Sequence, residues 1–437
     1  MTQLASGLTG GIIRRMKRVA VLACAAALAS VPAAWSAASV SYPPLLGMMS
    51  VHGTNRLVRL DPLTLKVVGS KWVKLPASST WARSPAGSRL VFIGPYGTVE
   101  IVDANHLRAL GTIRLPGMIQ SDIVWSSPRL VFVYDTIEIA AVDPVAMRVL
   151  WRERVPEEFN PFYPQGAAGT PDGMIILLSP RDGTVGPTSV LSVDSSGRTR
   201  TAVLSQIQSG TAQDPSGASV FTGASPGLAV DPVAGQAYVV GGDGTVAVVD
   251  LSTLAVTYHN QLRRLEIQQK VLSGPTRDAL WLGNGLLAVT GENDRAWLDA
   301  HGRYQEVVKP AGLSIVDTRT WTTKVVDPGA SAVTFANGRL LASGQTWDTT
   351  VRGAGSSLSP KGDGVTAYAA TGAMAFHLLG KTAEQTVRAA NGLGYAWHLP
   401  PDLKGHVTAT IFDLATGRVL RTLTVQNRTA PVPLIAF

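Results

Sequence analysis

The amino-acid sequence predicts an all-β protein, a single β-propeller of eight four-stranded blades whose ring is closed by the C-terminal strand. Three observations lead to this prediction: a strand pattern that recurs along the chain, an aspartate that ends one strand of nearly every copy, and an apolar C-terminal segment. A repeat of about 40–50 residues with four strands per copy is typical of propellers, because a single small sheet cannot bury both of its faces.

The repeat is an alternating apolar run that ends in aspartate and is followed by a short turn. Alternation with period two indicates half-buried antiparallel strands, and an aspartate can accept hydrogen bonds from the backbone of the following turn. Each copy is read as four strands, with the aspartate at the end of the third. Seven runs end at Asp61, Asp103, Asp143, Asp194, Asp250, Asp317 and Asp413, and Val365–Gly372 has the same shape without aspartate. Seven blades are the alternative, if the segment around 365–380 is an insertion.

The two ends of the chain are predicted to complete one blade together. The first unit has strands only within 45–51, 56–61 and 64–75, so it is one strand short. The chain continues beyond the last unit with Pro431–Phe437, in which five of seven residues are apolar. This segment should supply the missing strand and cover two sheet edges that would otherwise be exposed.

Residues 1–38 are predicted to be a cleaved signal peptide and residues 39–437 the propeller domain. Arg14–Arg18 carries four basic residues, and the 13 residues of Val19–Val31 are apolar but too few to span a bilayer. We expect a secreted, periplasmic or cell-envelope protein without a transmembrane segment after cleavage. The single cysteine, Cys24, lies in this leader, and lipidation is not predicted because only five apolar residues precede it.

Composition and charge disfavour several kinds of partner. The 437 residues are 45% hydrophobic and 16% charged. Removal of the leader lowers the formal net charge from +8 to +4, since residues 1–38 contain four basic residues and no acids. Such a weak charge does not indicate nucleic-acid binding. We predict a monomer that binds no nucleic acid.

No motif predicts a cofactor, a metal or a catalytic centre. Gly223–Gly227 matches the G-x-S-x-G pattern of hydrolases, but a strand follows it where the hydrolase turn requires a helix. Gly380–Thr382 lacks the upstream glycine of a phosphate-binding loop. The histidines show no metal-binding spacing. Catalytic residues are therefore unknown, and no cofactor or metal is predicted.

Runs such as Gly244–Leu254 resemble those of the YVTN-type and quinoprotein-type propeller superfamilies. That resemblance implies the fold and no activity, because these superfamilies include enzymes, scaffolds and binding modules. Asp143–Trp151 resembles the tryptophan-docking repeat of pyrroloquinoline-quinone enzymes. The tryptophan does not recur, however, since Gly69 and Arg421 stand at the same offset in other units.

Three tryptophans mark the predicted binding surface. Units six to eight have longer segments between their second and third strands, predicted to be loops, and each carries a tryptophan with an aspartate within five residues. Equivalent loops of neighbouring blades emerge on one face, and loops on a rigid scaffold often carry binding residues. An aromatic and carboxylate cluster suits a sugar, a cationic ligand or a peptide. The candidate ligand-binding residues are Trp297, Asp299, Trp347, Asp348, Trp397, His398 and Asp402. The alternative is that each tryptophan only covers its own loop.

The sequence therefore predicts an exported, non-catalytic propeller that binds a protein, peptide or carbohydrate through long loops on one face. The alternative is a propeller enzyme with an axial active site, such as a lactonase-like hydrolase, a lyase or a quinoprotein dehydrogenase. A purely structural envelope component is the third class.

Overall fold

The fold is known from a computed structural model that describes most of the chain from Tyr42 onward. The described residues are 42–76, 80–119, 121–157, 159–160, 166–180, 185–213, 221–262, 265, 272–298, 301, 304–352, 355–358, 361–382, 384–398, 406–425 and 432–433. The chain divides into two units, Met1–Tyr42 and Pro43–Phe437, and the second contains all of the described strands.

The strands of the first four blades follow one another along the chain. Blade 1 contains β1 (Leu45–Val51), β2 (Thr54–Leu60) and β3 (Val67–Lys74). Blade 2 contains β4 (Thr80–Arg83), β5 (Arg89–Gly94), a 3-10 turn (Pro95–Gly97), β6 (Thr98–Asp103) and β7 (Arg108–Arg114). Blade 3 contains β8 (Asp122–Ser127), β9 (Leu130–Tyr134), β10 (Glu138–Asp143) and β11 (Arg148–Arg154). The fourth region contains β12 (Phe159–Asn160), β13 (Ala167–Thr170), β14 (Gly173–Pro180), β15 (Gly186–Asp194), β16 (Thr199–Gln213) and β17 (Phe221–Ala224), of which β13–β16 form blade 4.

The second half repeats this plan with additional strands. Blade 5 contains β18 (Gly227–Asp231), β19 (Gln236–Val240), β20 (Thr245–Asp250) and β21 (Val256–Asn260). Blade 6 contains β22 (Leu272–Gly283), β23 (Leu286–Leu298), β24 (Tyr304–Pro310), β25 (Leu313–Asp317) and β26 (Thr322–Asp327). Blade 7 contains β27 (Ala332–Ala336), β28 (Arg339–Arg352), β29 (Gly355–Leu358), β30 (Lys361–Ala369) and β31 (Met374–Leu378). Blade 8 contains β32 (Glu384–Ala390), β33 (Leu393–His398), β34 (Val407–Asp413) and β35 (Val419–Val425), and β36 (Val432–Pro433) follows.

The prediction of eight four-stranded antiparallel blades is confirmed. The seven predicted aspartates stand at the end of the third strand of their blades or directly after it. In blade 3, the Asp143 carboxylate accepts hydrogen bonds from the backbone N–H of Val145 at 2.8 Å and of Ala146 at 3.0 Å. In the turns after the other six aspartates, the backbone N–H two residues on likewise donates to the carboxylate. The aspartate therefore ends the strand because its side chain satisfies the backbone donors of the turn.

The C-terminal strand closes the ring, as predicted. Strand β36 pairs antiparallel with β1, with Val432 opposite Met48 and Pro433 opposite Gly47, and gives blade 1 the order β3-β2-β1-β36. The Tyr395 hydroxyl of blade 8 also donates to the Pro62 carbonyl of blade 1 at 3.1 Å. The rest of 431–437 lies outside the described residues.

The core lies between the blades. Second and third strands are mostly buried, whereas fourth strands such as β11 and β26 are largely exposed. First strands of successive blades contact one another, from β4 and β8 to β27 and β32, so they form the innermost ring. Each core cluster joins two neighbours; one, for example, contains Val91 and Ile101 of blade 2 with Val131 and Val142 of blade 3. The blades thus stack because each one buries the faces of the next.

The meander order gives the disc two distinct faces. The turns that join second to third strands, such as Pro95–Gly97, emerge on the same face as the connections between blades, and we call it the upper face. The turns that join first to second and third to fourth strands, such as Ala104–Leu107, form the lower face. The described members of the predicted binding set, Trp297, Trp347, Asp348, Trp397 and His398, lie towards the upper ends of their strands.

Candidate functional site

The upper connections of blades 6 and 7 are strands, where we predicted loops. Strand β23 continues past its blade and pairs with β24, β24 pairs with β28 of the next blade, and β28 pairs with β29. The resulting ten-stranded sheet joins the two blades. We call its projecting part, 291–298, 304–310, 345–352 and 355–358, the extension sheet. Pairing satisfies the backbone polar groups of these long connections, which explains why they are not irregular.

The backbone register brings two of the three predicted segments together. Trp297 pairs with Gln305, Trp347 with Val308, and Asp348 with Val307. Strand β24 therefore lies directly between the strands that carry the two tryptophans. Asp299 lies outside the described residues.

The third predicted segment belongs to a separate sheet. Trp397 and His398 end β33 in the four-stranded sheet of blade 8, and both side chains are half-buried. The Trp397 ring stacks on that of Tyr395, with centroids 6.0 Å apart and planes inclined by 19°. Asp402 lies outside the described residues. The described strands thus place Trp397 against a buried residue of its own blade and outside the extension sheet.

Ionisable groups collect on the two inner strands of blade 6. Arg277 on β22 is 5% exposed, and burial lowers its pKa to about 10, against the attraction of Asp243. The Asp278 residue is exposed, but the surrounding protein of the innermost ring disfavours its charged form and raises its pKa. Burial also raises the pKa of Glu292 on β23, with a further contribution from Asp278 and an opposing hydrogen bond from Ser331. Asp278 belongs to the innermost ring of strands, where the enzyme alternative places its acid and base, and its charge is one cause of the raised pKa of Glu292. We call these two groups the axial carboxyl groups.

A groove of about 630 Å³ lies on the lower face between blades 5 and 6. Two aromatic pairs line it, and each pair joins the two blades. Tyr238 stacks on Trp281 with centroids 5.2 Å apart, and His259 stacks on Trp321 at 3.5 Å and 7°. Burial lowers the pKa of His259, which favours the neutral form of its imidazole. These rings pack against one another and hold the blades together at this position.

Sequence reasoning did not find the groove, although one signal marks it. The residue four positions after the third-strand aspartate adopts a left-handed conformation in several blades and is aliphatic in blades 1, 2 and 5, as with Leu65, Leu107 and Leu254. Blade 6 has Trp321 there, with φ 53°. A bulky aromatic at a position that other blades fill with leucine indicates an altered contact with the preceding blade.

Within the described ranges, no group of three or more His, Cys, Asp or Glu side chains is arranged to hold a metal ion. In that same part of the chain, no helix has the length and apolarity needed to cross a bilayer.

Comparisons with known proteins identify the chain by fold. No family model matches it, and no curated protein matches it in sequence. Among solved structures it is similar to apo AztD from Citrobacter koseri, at 11% identity and TM-score 0.50, over 89% of this chain and 96% of that one. It is also similar to the dihydro-heme d1 dehydrogenase NirN in complex with DHE, at 12% identity and TM-score 0.49, over 88% of this chain and 74% of that one. A third is BamB from Moraxella catarrhalis, at 15% identity and TM-score 0.44, over 81% and 92%.

The chain is an eight-bladed propeller, the fold that its resemblance to YVTN-type and quinoprotein-type repeats implied. At such low identity the likeness concerns the fold alone, and activity has to be argued from the chain's own surfaces.

Proposed function

We propose that the protein is an exported, non-catalytic propeller that binds a protein, peptide or carbohydrate through the extension sheet of blades 6 and 7. The observation that carries this proposal is that β24 and β29 stand outside the four-stranded plan of their blades. The ring closes through β36 and the inter-blade cores, so the fold does not require these strands.

The construction of the extension sheet supports a binding role. It joins two blades through the pairing of β24 with β28, so it is tied to the scaffold on both sides. A surface held in this way loses little conformational freedom when a partner binds, which favours affinity. Its strands carry Trp297 and Trp347, and tryptophan is among the residue types enriched in binding hot spots.

The first test removes the extension sheet and keeps the ring. Segments 292–310 and 345–361 are each replaced by a two-residue turn, as in a tight hairpin. Mature protein and the trimmed variant are compared for capture of envelope proteins from the source cells and for binding to a glycan array. We expect an unchanged melting temperature and loss of every ligand that the intact protein captures. Retained capture by the trimmed variant, or no capture by the intact protein, contradicts the proposal.

A point substitution makes the test more specific. Trp347→Ala should weaken capture and leave the melting temperature nearly unchanged. The matched control is Trp281→Ala, because Trp281 stacks on Tyr238 in the groove on the opposite face. That control should lower stability and leave capture intact. A large loss of stability with Trp347→Ala would show instead that this side chain packs into the fold.

Export is tested separately. The intact mass of protein recovered from the envelope or medium should correspond to cleavage near residue 38. A full-length mass, with Met1 present, would contradict the signal-peptide prediction.

The axial carboxyl groups support a second candidate, an enzyme that uses Asp278 and Glu292 as a proton-transfer pair. Their raised pKa values are of the kind that acid–base catalysts need. This candidate predicts a bell-shaped pH profile for any hydrolase or lyase activity, and its loss with Glu292→Gln.

A further inference from the structure

The groove on the lower face between blades 5 and 6 departs from the repeat at Trp321. The same position is a leucine in blades 1, 2 and 5, and all three leucines, Leu65, Leu107 and Leu254, are buried. Trp321 shares their left-handed conformation but is only half-buried, and it lines a groove of about 630 Å³. Ligand pockets in proteins have volumes of about 300–1,000 Å³, so the groove has the size of a small-molecule site.

Four aromatic rings form the walls of this groove. Tyr238 and His259 belong to blade 5, and Trp281 and Trp321 belong to blade 6. Each ring stacks on one ring of the other blade, so each keeps its edges and its second face outside the stack. The faces of tryptophan and tyrosine rings carry partial negative charge and attract cations, tryptophan most strongly.

Asp231 brings a nearly buried carboxylate to the same groove. The residue is 8% exposed, and one of its oxygens accepts hydrogen bonds from the N–H of Val233 at 2.9 Å and of Ala234 at 3.1 Å. The other oxygen forms no hydrogen bond or ion pair with any described residue. Burial raises the pKa of Tyr238 and the charge of Asp231 adds to that rise, so the carboxylate lies close to the rings.

The other charged groups of the groove lining do not compensate Asp231. Arg319 is paired with Asp317, to which its Nε donates at 3.0 Å and its Nη2 at 2.7 Å. Burial lowers the pKa of His259, which favours its neutral form. The described lining therefore presents one uncompensated negative charge beside aromatic rings, and a positively charged ligand complements it.

We propose that this groove binds a small organic cation, an alkylated ammonium compound, with its charged head between Asp231 and the aromatic rings. Cation–π attraction and the carboxylate would together replace the water that such a head gives up. The Gln236 side-chain oxygen accepts from the Tyr238 hydroxyl at 3.0 Å, which leaves its NH₂ group to bond polar atoms on the rest of the ligand. A neutral sugar would leave the carboxylate without a counter-charge. The groove lies on the face opposite the extension sheet, so this proposal is independent of the proposed function.

The experiment measures binding of organic cations to the purified protein by calorimetry and tryptophan fluorescence. The probes are tetramethylammonium, choline, acetylcholine and trimethyl-lysine. Dimethylbutanol, the neutral isostere of choline with carbon in place of the ammonium nitrogen, is the ligand control, and maltose represents neutral sugars. We expect at least one cation to bind, and choline to bind about tenfold or more tightly than its isostere. The proposal is overturned if no cation binds at millimolar concentration, or if the isostere or maltose binds as tightly as the cations.

Two substitutions test the residues that hold the cation. Asp231→Asn removes the charge and keeps an oxygen that can accept from the turn, so cation binding should weaken about tenfold at an unchanged melting temperature. Trp321→Leu introduces the residue of three other blades and should weaken cation binding about fivefold or more. Cation binding that is as tight in either variant as in the unaltered protein would contradict the proposal.

The matched control is Asp250→Asn. The Asp250 carboxylate accepts from the N–H of Ser252 at 3.0 Å and of Thr253 at 2.8 Å, so it stabilises another lower turn of blade 5 in the same way. It does not line the groove. This control should bind the cations as the unaltered protein does, and an equal loss of binding in Asp250→Asn and Asp231→Asn would refute recognition by Asp231.

Discussion

Replacement of Tyr395 by phenylalanine tests how the ring is closed. Tyr395 is completely buried in blade 8, and its hydroxyl donates to the Pro62 carbonyl of blade 1 at 3.1 Å. The two residues are 333 positions apart in sequence, so the bond joins the two ends of the propeller. Tyr395→Phe keeps the ring and opens little space, but it removes this donor from a buried carbonyl.

The expected cost follows from the loss of that bond. A buried acceptor that loses its donor costs about 1–3 kcal/mol. Because the entropy of unfolding grows with chain length, this corresponds to a decrease in melting temperature of only about 1–4 °C for a domain of this size. Chemical denaturation is therefore the better measure of the free energy of unfolding, and amide hydrogen exchange shows where the structure opens.

The matched control is Tyr368→Phe. The Tyr368 hydroxyl donates to the Asp327 carboxylate at 3.0 Å, at the boundary of blades 6 and 7. Both substitutions should lower stability by a similar amount, since each removes one hydroxyl donor from a buried or partly buried acceptor. Only Tyr395→Phe should accelerate amide exchange in β1 and β33, the strands on either side of the closure. Unchanged exchange in these strands would refute the view that blade 8 holds blade 1 in the ring.

Two further predictions concern the closing strand and the axial carboxyl groups. Deletion of Pro431–Phe437 removes β36 and leaves β1 as an open edge of its sheet. We expect a severe loss of stability in melting measurements and concentration-dependent association in light scattering. An unchanged melting temperature would exclude closure by this strand. Asp278→Asn should raise the free energy of unfolding at neutral pH. The folded protein raises the pKa of Asp278, so the native state loses stability as the pH rises above the pKa of the unfolded chain, and asparagine carries no charge to disfavour. The gain should shrink as the pH falls towards the ordinary aspartate pKa of about 4, and urea unfolding across this range measures it.

The repeat could be predicted in detail because it is encoded locally. An aspartate that bonds the next turn, as Asp143 does, acts within four residues and leaves the same pattern in each blade. Alternation along a strand such as Val246–Asp250 likewise depends only on which side chains are buried. Ring closure could also be predicted, because the first unit is one strand short and the C-terminal segment is apolar enough to supply that strand.

The extension sheet was not predicted because its pairing is not local. The stretch 292–298 is polar and does not alternate, which suggested a loop. It forms a strand because it pairs with one edge of β24. The other edge of β24 pairs with β28 of the next blade, which lies roughly 40 residues further along the chain. The groove of Trp281 and Trp321 escaped prediction for the same reason, since each of its stacks joins different blades. Contacts between repeats leave no periodic signal within one repeat.

The distribution of buried residues explains which parts of a blade can differ from the repeat. Second and third strands carry the inter-blade cores, so a substitution there disturbs two blades at once. The turns that join second to third strands, such as Pro95–Gly97 and 241–244, supply no residue to the described core clusters of their blades, whereas the connections between blades do, as with Leu115 and Met118. A propeller can therefore change these turns at small cost to its stability. The extension sheet departs from the repeat on the upper face, and for this reason it is the place where binding is to be sought.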